Sequence, residues 1–176
     1  VDSLSVRPDI MMAFRAYGHQ SPVISREQRD CEDTKLEVPF GTGNADFIRK
    51  KLDEIVPKGT TPIAYSLGQA ANDFPPCDNC RNIIILITDG IEECDGDPCA
   101  VSWALQKKGI VLKPFVIGMG LDEDIMKQFE CVGNFYDASN EAVFKNVLNI
   151  VISQAMNSTS VQVNLLDQSG EPTETD

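Results

Sequence analysis

Several features that define other protein classes are absent from this sequence. No apolar run approaches the ~18 residues that a membrane-spanning helix needs, and there is no basic and apolar leader. We therefore expect no membrane span, and we expect any export signal to lie outside the chain. With one histidine, His19, serine or cysteine nucleophile chemistry has little support. Neither a Gly-x-x-x-x-Gly-Lys loop nor a Gly-x-Ser-x-Gly elbow occurs.

Basic residues are also scarce. The 176 residues contain 15 Lys and Arg against 27 Asp and Glu, which gives a formal net charge of −12. Such a charge argues against nucleic acid and anionic membrane surfaces as partners. The negative charge favours cations as partners, or it serves only to keep the protein soluble. The length predicts one domain, or one domain with a fragment of another.

What the chain does contain begins with its cysteines. If paired, they indicate an oxidising compartment, although six cysteines allow many connectivities. Local spacing favours Cys77 with Cys80 and Cys94 with Cys99, which leaves Cys31 with Cys131. A zinc site of four thiolates, from Cys77, Cys80, Cys94 and Cys99, is the alternative.

The segment 82–90 is the most informative part of the chain. An uninterrupted run of Ile and Leu ends at Thr88, Asp89 and Gly90. Such a run predicts a strand over 82–88 that is buried on both faces. Ligands of open α/β sheets bind beyond the carboxyl ends of such strands, where Asp89 would lie. The alternative is a turn or cap aspartate.

Strand and helix patterns alternate along the chain, which predicts βαβ units and a parallel sheet. Asn44, Thr61 and Asp97 are candidate helix N-caps, the last two each followed by proline. We predict strands at 10–17, 35–40, 82–88, 110–117 and 134–137, and helices at 45–56, 61–74, 98–108, 122–131 and 139–156.

Apolar spacing also predicts which helix faces are buried. In the first helix, Ala45, Ile48, Leu52 and Ile55 fall on one face. Trp103 in the third helix is assigned to the core.

The last residues differ in pattern from the rest. Val161, Val163 and Leu165 alternate with polar residues, and a turn follows. We predict one domain over 1–156, and a linker with the first strand of a following β-domain over 157–176. A flexible tail is the alternative.

Two segments together resemble motifs of the von Willebrand factor type A (VWA) domain. They are Gly59-Thr60-Thr61-Pro62-Ile63-Ala64 and Ile87-Thr88-Asp89-Gly90, within a resemblance that covers roughly residues 4–156. The resemblance implies an α/β fold with a Rossmann-like, mostly parallel sheet and helices on both faces. It also implies a metal-ion-dependent adhesion site for Mg²⁺ or Mn²⁺, or Ca²⁺, at the top of the sheet.

The resemblance further implies which side chains hold the metal. Thr61 would supply a hydroxyl ligand and Asp89 a carboxylate, which are the hard oxygen donors that Mg²⁺ prefers. An open coordination position would then accept a carboxylate from a protein partner. The implied function is a non-enzymatic protein-interaction or adhesion module.

One family motif is not found. The family's Asp-x-Ser-x-Ser sequence ends its first, central strand, and Asp2-Ser3-Leu4-Ser5 is no substitute because Leu4 stands where a serine is needed. Losing several buried side chains would cost on the order of 10 kcal/mol, which is comparable with the stability of a whole domain. We therefore expect an N-terminal segment with the first strand to belong to the native protein, or another chain to fill its place.

A narrower pattern resembles a bacterial branch of the family found in exported or envelope proteins. It comprises Tyr17-Gly18-His19, Cys31, the segment 92–99 and Phe129-Glu130-Cys131. This resemblance implies a periplasmic, cell-surface or secreted protein, and it favours disulfides over zinc.

Three further side chains near the predicted site have two interpretations each. His19 would end a strand at the same sheet edge as Asp89, with either a site role or a structural hydrogen bond. Glu92 and Glu93 follow the metal aspartate and either tune the site or form a solvated acidic loop.

Two other functions compete with adhesion. One is a structural envelope domain with a decayed metal site. The other is metal-dependent phosphoryl transfer, which suits an aspartate at a strand end, but Asp89-Gly90-Ile91 lacks the Asp-x-Asp pattern of the haloacid dehalogenase type.

Overall fold

The protein is described from a computed structural model, which describes residues 9–23, 25–107, 115–118, 129, 131–132, 134–138 and 140–156. Strands and helices alternate along most of this part of the chain, as predicted. The elements are β1 (Met12–Tyr17), a 3-10 helix (Arg26–Gln28), β2 (Thr34–Gly41), α1 (Ala45–Glu54), α2 (Ile63–Asp73), β3 (Ile85–Thr88), α3 (Pro98–Lys107), β4 (Phe115–Gly118), β5 (Asn134–Asp137) and α4 (Glu141–Met156).

The described strands form two sheets. β1 and β2 are antiparallel, with Tyr17 opposite Thr34. β3, β4 and β5 are parallel in that order, and Thr88, Gly118 and Asp137 stand side by side at their carboxyl ends. The mixed strand and helix prediction is confirmed. A Rossmann-like sheet covered by helices on both faces stays a prediction.

β3 is shorter and less buried than predicted. It begins at Ile85, and its side chains alternate between the two faces of the sheet. Leu86 and Thr88 are buried, whereas Ile87 is 44% exposed. Two-sided burial is therefore wrong at Ile87. The apolar cluster on that face includes Ile85, but Ile87 lies one step further along the strand and, among the described residues, is outside it.

The main core lies between α2 and β3. Ile63 and Leu67 from α2 pack with Leu86 of β3 and with Phe129 and Val132. Tyr17 at the end of β1, and Ile84, Val101 and Cys131, pack against this cluster. The core therefore ties the first helix turn of α2 to the strand that precedes Asp89.

α1 buries less of its apolar face than predicted. Ala45 and Ile48 are buried, but Leu52 is half exposed. Asn44 occupies the cap position, yet its side chain makes no cap bond. Its Nδ2 instead donates to the Met12 and Pro39 carbonyls, at 2.6 and 3.1 Å, and so joins the two strands of the hairpin.

α3 begins as predicted, with Asp97 Oδ1 accepting from the Ala100 N–H at 3.0 Å. The core assignment of Trp103 is wrong, because its side chain is 57% exposed. The packed face of the helix carries Val101 and Leu105, four residues apart, and Trp103 points away from that face at a helical period of 3.6 residues.

All six cysteines form disulfides, so the four-thiolate zinc alternative is wrong. The predicted Cys77–Cys80 pair is confirmed, but the other two predicted pairs are wrong. The structure pairs Cys31 with Cys94 and Cys99 with Cys131.

The helix start explains this exchange of partners. Cys99 lies in the first turn of α3, whereas Cys94 precedes the helix in the loop. Asp95, at a φ of 55°, turns the chain between them. Cys94 and Cys99, although close in sequence, are thereby directed to different parts of the fold.

Some predictions fall outside the described residues. These are the strand residues 110–114, most of the helix at 122–131, and the linker and strand at 157–176. None of the helices in the described ranges is long and apolar enough to cross a membrane.

Candidate metal and adhesion site

The two predicted metal ligands lie at one end of the core. Thr61 precedes α2 by two residues, and Asp89 directly follows β3. A Cβ built on Gly90 would lie 3.4 Å from the Thr61 hydroxyl oxygen. The structure therefore brings the Thr61 side chain against the turn that carries Asp89. That these two residues bind metal stays a prediction.

The Thr61 hydroxyl and the Asp89 carboxylate both offer oxygen atoms to a ligand. Among the described residues, no hydrogen bond is made by the Thr61 hydroxyl or by the Asp89 carboxylate. Asp89 is exposed and Thr61 is half-buried. Their oxygens are therefore available to a ligand at the carboxyl end of β3.

Thr61 does not cap α2 as predicted. The helix begins at Ile63, and Pro62 occupies the cap position without a side-chain cap bond. The first N–H groups of a helix lack partners within the helix. Here Glu92 Oε2 accepts from the Ala64 N–H at 2.7 Å, so a residue from another loop supplies the cap.

Glu92 and Glu93, which we call the acidic pair, are not a simple solvated loop. Glu92 Oε1 also accepts from the Cys94 N–H at 2.8 Å. Glu93 Oε2 accepts from the Thr61 N–H at 2.9 Å, and the Glu93 N–H donates to the Thr61 carbonyl at 3.2 Å. Both carboxylates therefore contact the segment that carries Thr61. Sequence reasoning placed the pair near the site but had no signal for these partners.

Tyr17 is a neighbour of the site that sequence reasoning missed. Its hydroxyl donates to the Ile87 carbonyl at 3.2 Å, which joins the end of β1 to β3. Burial raises the pKa of Tyr17. A hydrogen bond with Thr88 opposes this shift, whereas the negative charges of Asp89 and Glu92 add to it. Tyr17 therefore stays a neutral hydrogen-bond donor beside the candidate site.

His19 has a structural role. Its Nε2 is 3.0 Å from Glu37 Oε1, and its Nδ1 is 3.9 Å from Asp33 Oδ1. The structural hydrogen bond predicted for His19 is thus confirmed.

Gly18 lets β1 approach the Thr61 segment. Its φ of 64° lies in the left-handed region that favours glycine, and a Cβ there would collide with the Thr60 carbonyl oxygen. The Lys58 and Gly59 N–H groups donate to the Gly18 carbonyl at 2.7 and 3.2 Å. The loop before Thr61 is therefore fixed to the end of β1.

The donor set suits a hard divalent cation in kind. Mg²⁺ prefers oxygen ligands, keeps several waters and binds through few carboxylates. Thr61 and Asp89 provide two such oxygens on an open face. In the described ranges no cluster of three or more His, Cys, Asp or Glu side chains is placed to hold a metal. Water or further groups would have to complete the coordination.

Comparisons with known proteins find similar bacterial proteins. No protein-family model matches the sequence. It is 28% identical over 140 residues to the uncharacterized protein YwmD of Bacillus subtilis, covering 76% of this chain and 62% of that protein. It is 29% identical over 138 residues to YwmC of the same organism, with 75% and 59% covered. The chain thus spans about three fifths of the length of these relatives.

Solved structures identify the fold. BatB from Bacteroides thetaiotaomicron matches with a TM-score of 0.54 at 18% identity, over 84% of this chain and 80% of BatB. Proximal thread matrix protein 1 (PTMP1) of the mussel byssus matches with a TM-score of 0.62 at 18% identity, over 86% of this chain and 38% of PTMP1. The fold is VWA-like. One PTMP1 structure is described as having a zinc-occupied MIDAS motif, the name of the metal-ion-dependent adhesion site.

Proposed function

We propose that this chain is a non-enzymatic protein-interaction module that binds a divalent cation, Mg²⁺ or Mn²⁺, through Thr61 and Asp89. The observation that carries the proposal is the proximity of the Thr61 hydroxyl to Gly90, the residue after Asp89, where an added Cβ would lie 3.4 Å from the hydroxyl oxygen. Two segments separated by an entire helix supply oxygen atoms to one exposed edge of the parallel sheet. The described residues leave the Thr61 hydroxyl and the Asp89 carboxylate without hydrogen bonds.

The chemistry of the two groups supports this proposal. A threonine hydroxyl and an aspartate carboxylate are hard donors on an open face, where waters can fill the other coordination positions. When bound, the cation would leave a position open for a carboxylate of a protein partner. Thr61 and Asp89 would orient the ion, and the exposure of Asp89 leaves room for that partner.

The setting of the site is consistent with an exported bacterial protein. Three disulfides are typical of oxidising compartments. Relatives of the chain occur in Bacillus subtilis, and a structural neighbour carries a zinc-occupied MIDAS motif. We therefore place the proposed interaction in the periplasm, at the cell surface or outside the cell.

Calorimetric titration with Mn²⁺ tests this function directly. Asp89→Asn and Thr61→Val should each weaken Mn²⁺ binding by about tenfold or more, since loss of even an outer-shell partner costs 10–100-fold in metal affinity. Asp53→Asn is the matched control, because Asp53 is an exposed carboxylate on α1. The Mn²⁺ affinity of Asp53→Asn should equal that of the wild type.

Two results would overturn the proposal. One is a wild-type protein that binds neither Mn²⁺ nor Mg²⁺, which would leave a structural domain of VWA-like fold. The other is an Asp89→Asn variant that binds Mn²⁺ as tightly as the wild type while remaining folded by circular dichroism.

A further inference from the structure

The acidic pair makes an unusual set of contacts with the start of α2. The helix has proline at its cap position, so its own sequence offers no side-chain acceptor there. Glu92 supplies one from the loop after β3 and uses both carboxylate oxygens, one for the Ala64 N–H and one for the Cys94 N–H. The carboxylate therefore couples the helix start to its own loop.

Glu93 fixes Thr61 more tightly still. Its side chain accepts from the Thr61 N–H, and its main-chain N–H donates to the Thr61 carbonyl. Both main-chain polar groups of Thr61 are thereby bonded to a single residue. Two such bonds restrict the φ and ψ angles of Thr61 and hence the direction of its Cα–Cβ bond. A β-branched side chain then has few rotamers left.

The loop that carries the acidic pair is itself tightly placed. A Cβ at Gly96 would lie 2.6 Å from Ala64 Cβ and 3.3 Å from the Glu92 carboxylate, so only glycine allows this approach. The Cys31–Cys94 disulfide anchors the same loop to the segment before β2. The acidic pair is therefore positioned on one side by a covalent link and on the other by close packing.

We propose that Glu93, supported by Glu92, is a positioning residue that directs the Thr61 hydroxyl toward the Asp89–Gly90 turn. This inference rests on the proposed cation-binding function. Glu93 acts by accepting a hydrogen bond from the Thr61 main chain and contributes no ligand of its own. The cation affinity of the site then depends on Glu93, although the Glu93 carboxylate is hydrogen-bonded to the Thr61 main chain.

A pair of substitutions at one position distinguishes positioning from charge. Glu93→Ala removes the acceptor, whereas Glu93→Gln removes the charge but keeps an oxygen that can accept from the Thr61 N–H. Mn²⁺ titration should show affinity reduced by about tenfold for Glu93→Ala. Glu93→Gln should retain most of the Mn²⁺ affinity that Glu93→Ala loses. Equal weakening in both variants would mean that charge or ligation is responsible, and would overturn the inference.

A second helix cap provides the control for a merely structural role. Asn140 Oδ1 accepts from the Val143 N–H at the start of α4. Asn140→Ala should lower the thermal unfolding midpoint without changing Mn²⁺ affinity. Glu93→Ala should weaken Mn²⁺ affinity strongly. This loss should be far larger than a fall in the unfolding midpoint of the size seen in Asn140→Ala could explain.

Amide hydrogen exchange gives a readout that needs no metal. The Thr61 N–H should exchange slowly in the wild type and in Glu93→Gln, and faster in Glu93→Ala. Unchanged exchange at Thr61 in Glu93→Ala would overturn the positioning role, as would a Glu93→Ala variant with wild-type affinity. A wild-type protein that binds no Mn²⁺ would instead overturn the proposed function, and this inference with it.

Discussion

The antiparallel sheet of β1 and β2 takes part in several ion pairs, whereas β3 of the parallel sheet packs on apolar side chains. On the hairpin, Glu37 contacts both Lys35 and Lys51, at 2.9 and 3.5 Å. Arg15 of β1 forms a two-bond ion pair with Asp73 at the end of α2. Around β3, the contacts come from the core cluster that contains Leu86.

The candidate site lies where these two regions meet. Tyr17 ends the charged hairpin and bonds to Ile87 of the apolar sheet, while α2 contacts both regions. The Cys31–Cys94 disulfide, hydrogen bonds and the packing of Tyr17 on the core, rather than a shared sheet, join the two regions in the described part of the chain. Thr61 and Asp89 are thus held by long-range links, and removing those links should affect the two regions differently.

The largest effect should follow loss of the disulfide that joins the two regions. Cys31 and Cys94 are 63 residues apart, whereas Cys77 and Cys80 are three apart. Because the entropy of the unfolded chain depends on loop length, replacing Cys31 and Cys94 by serine should cost about 4 kcal/mol of unfolding free energy. The same replacement at Cys77 and Cys80 should cost about 1.5 kcal/mol.

Guanidinium chloride unfolding of the two double variants measures these losses. Cys77→Ser/Cys80→Ser serves as the matched control for loss of a disulfide within a single loop. Equal losses in the two variants would show that the Cys31–Cys94 link contributes nothing beyond local structure.

A smaller effect should follow loss of the ion pair that fastens the hairpin to α2. Arg15 Nε and Nη2 each lie 2.7 Å from an Asp73 carboxylate oxygen, and the two side chains are only 16% and 12% exposed. Arg15→Met leaves Asp73 partly buried without its charged partner. A hydrogen bond to a charged group is worth roughly 1.5–3 kcal/mol, so we expect a loss of about 2 kcal/mol in urea unfolding.

An exposed pair on α1 supplies the comparison for Arg15. Lys50 and Glu54 are 3.9 Å apart and largely exposed, so Lys50→Met should change stability by less than about 0.5 kcal/mol. An Arg15→Met variant as stable as Lys50→Met would show that charge does not hold the hairpin to α2.

Local patterns in the sequence were sufficient to predict most of the described helices and strands. The run before Asp89 identified β3, and the Asp97 cap identified the start of α3, because both signals depend on neighbouring residues. The antiparallel pairing of β1 with β2 was not predicted. The two motifs around Thr61 and Asp89 were sufficient to predict their proximity.

Contacts between distant segments were not predictable in the same way. The spacing of Cys94 and Cys99 predicted a disulfide between them, but the start of α3 directs the two residues to different partners. Nothing in the sequence around Glu92 and Glu93 indicates that their carboxylates accept hydrogen bonds from main-chain N–H groups at the N-terminus of α2, about 30 residues earlier in the chain. The predicted burial of Leu52 and Trp103 was wrong for a related reason. The helical period shows which residues share a face, but it does not show whether another element covers that face.

The smallest of these effects concerns acid and the charged hairpin. The hydrogen bond with His19, and then that with Lys35, lower the pKa of Glu37 from 4.5 to about 2. A carboxyl group with a lowered folded-state pKa stabilises the protein above its unfolded pKa, and this contribution is lost as pH falls from about 5 toward 2. Lys35 is 55% exposed, so solvent screening limits the contribution to on the order of 1 kcal/mol. Urea unfolding from pH 7 to pH 3 should therefore show a shallower loss of stability in Glu37→Gln than in the wild type. Parallel pH profiles would mean that the ionised Glu37 contributes nothing to the stability of the hairpin.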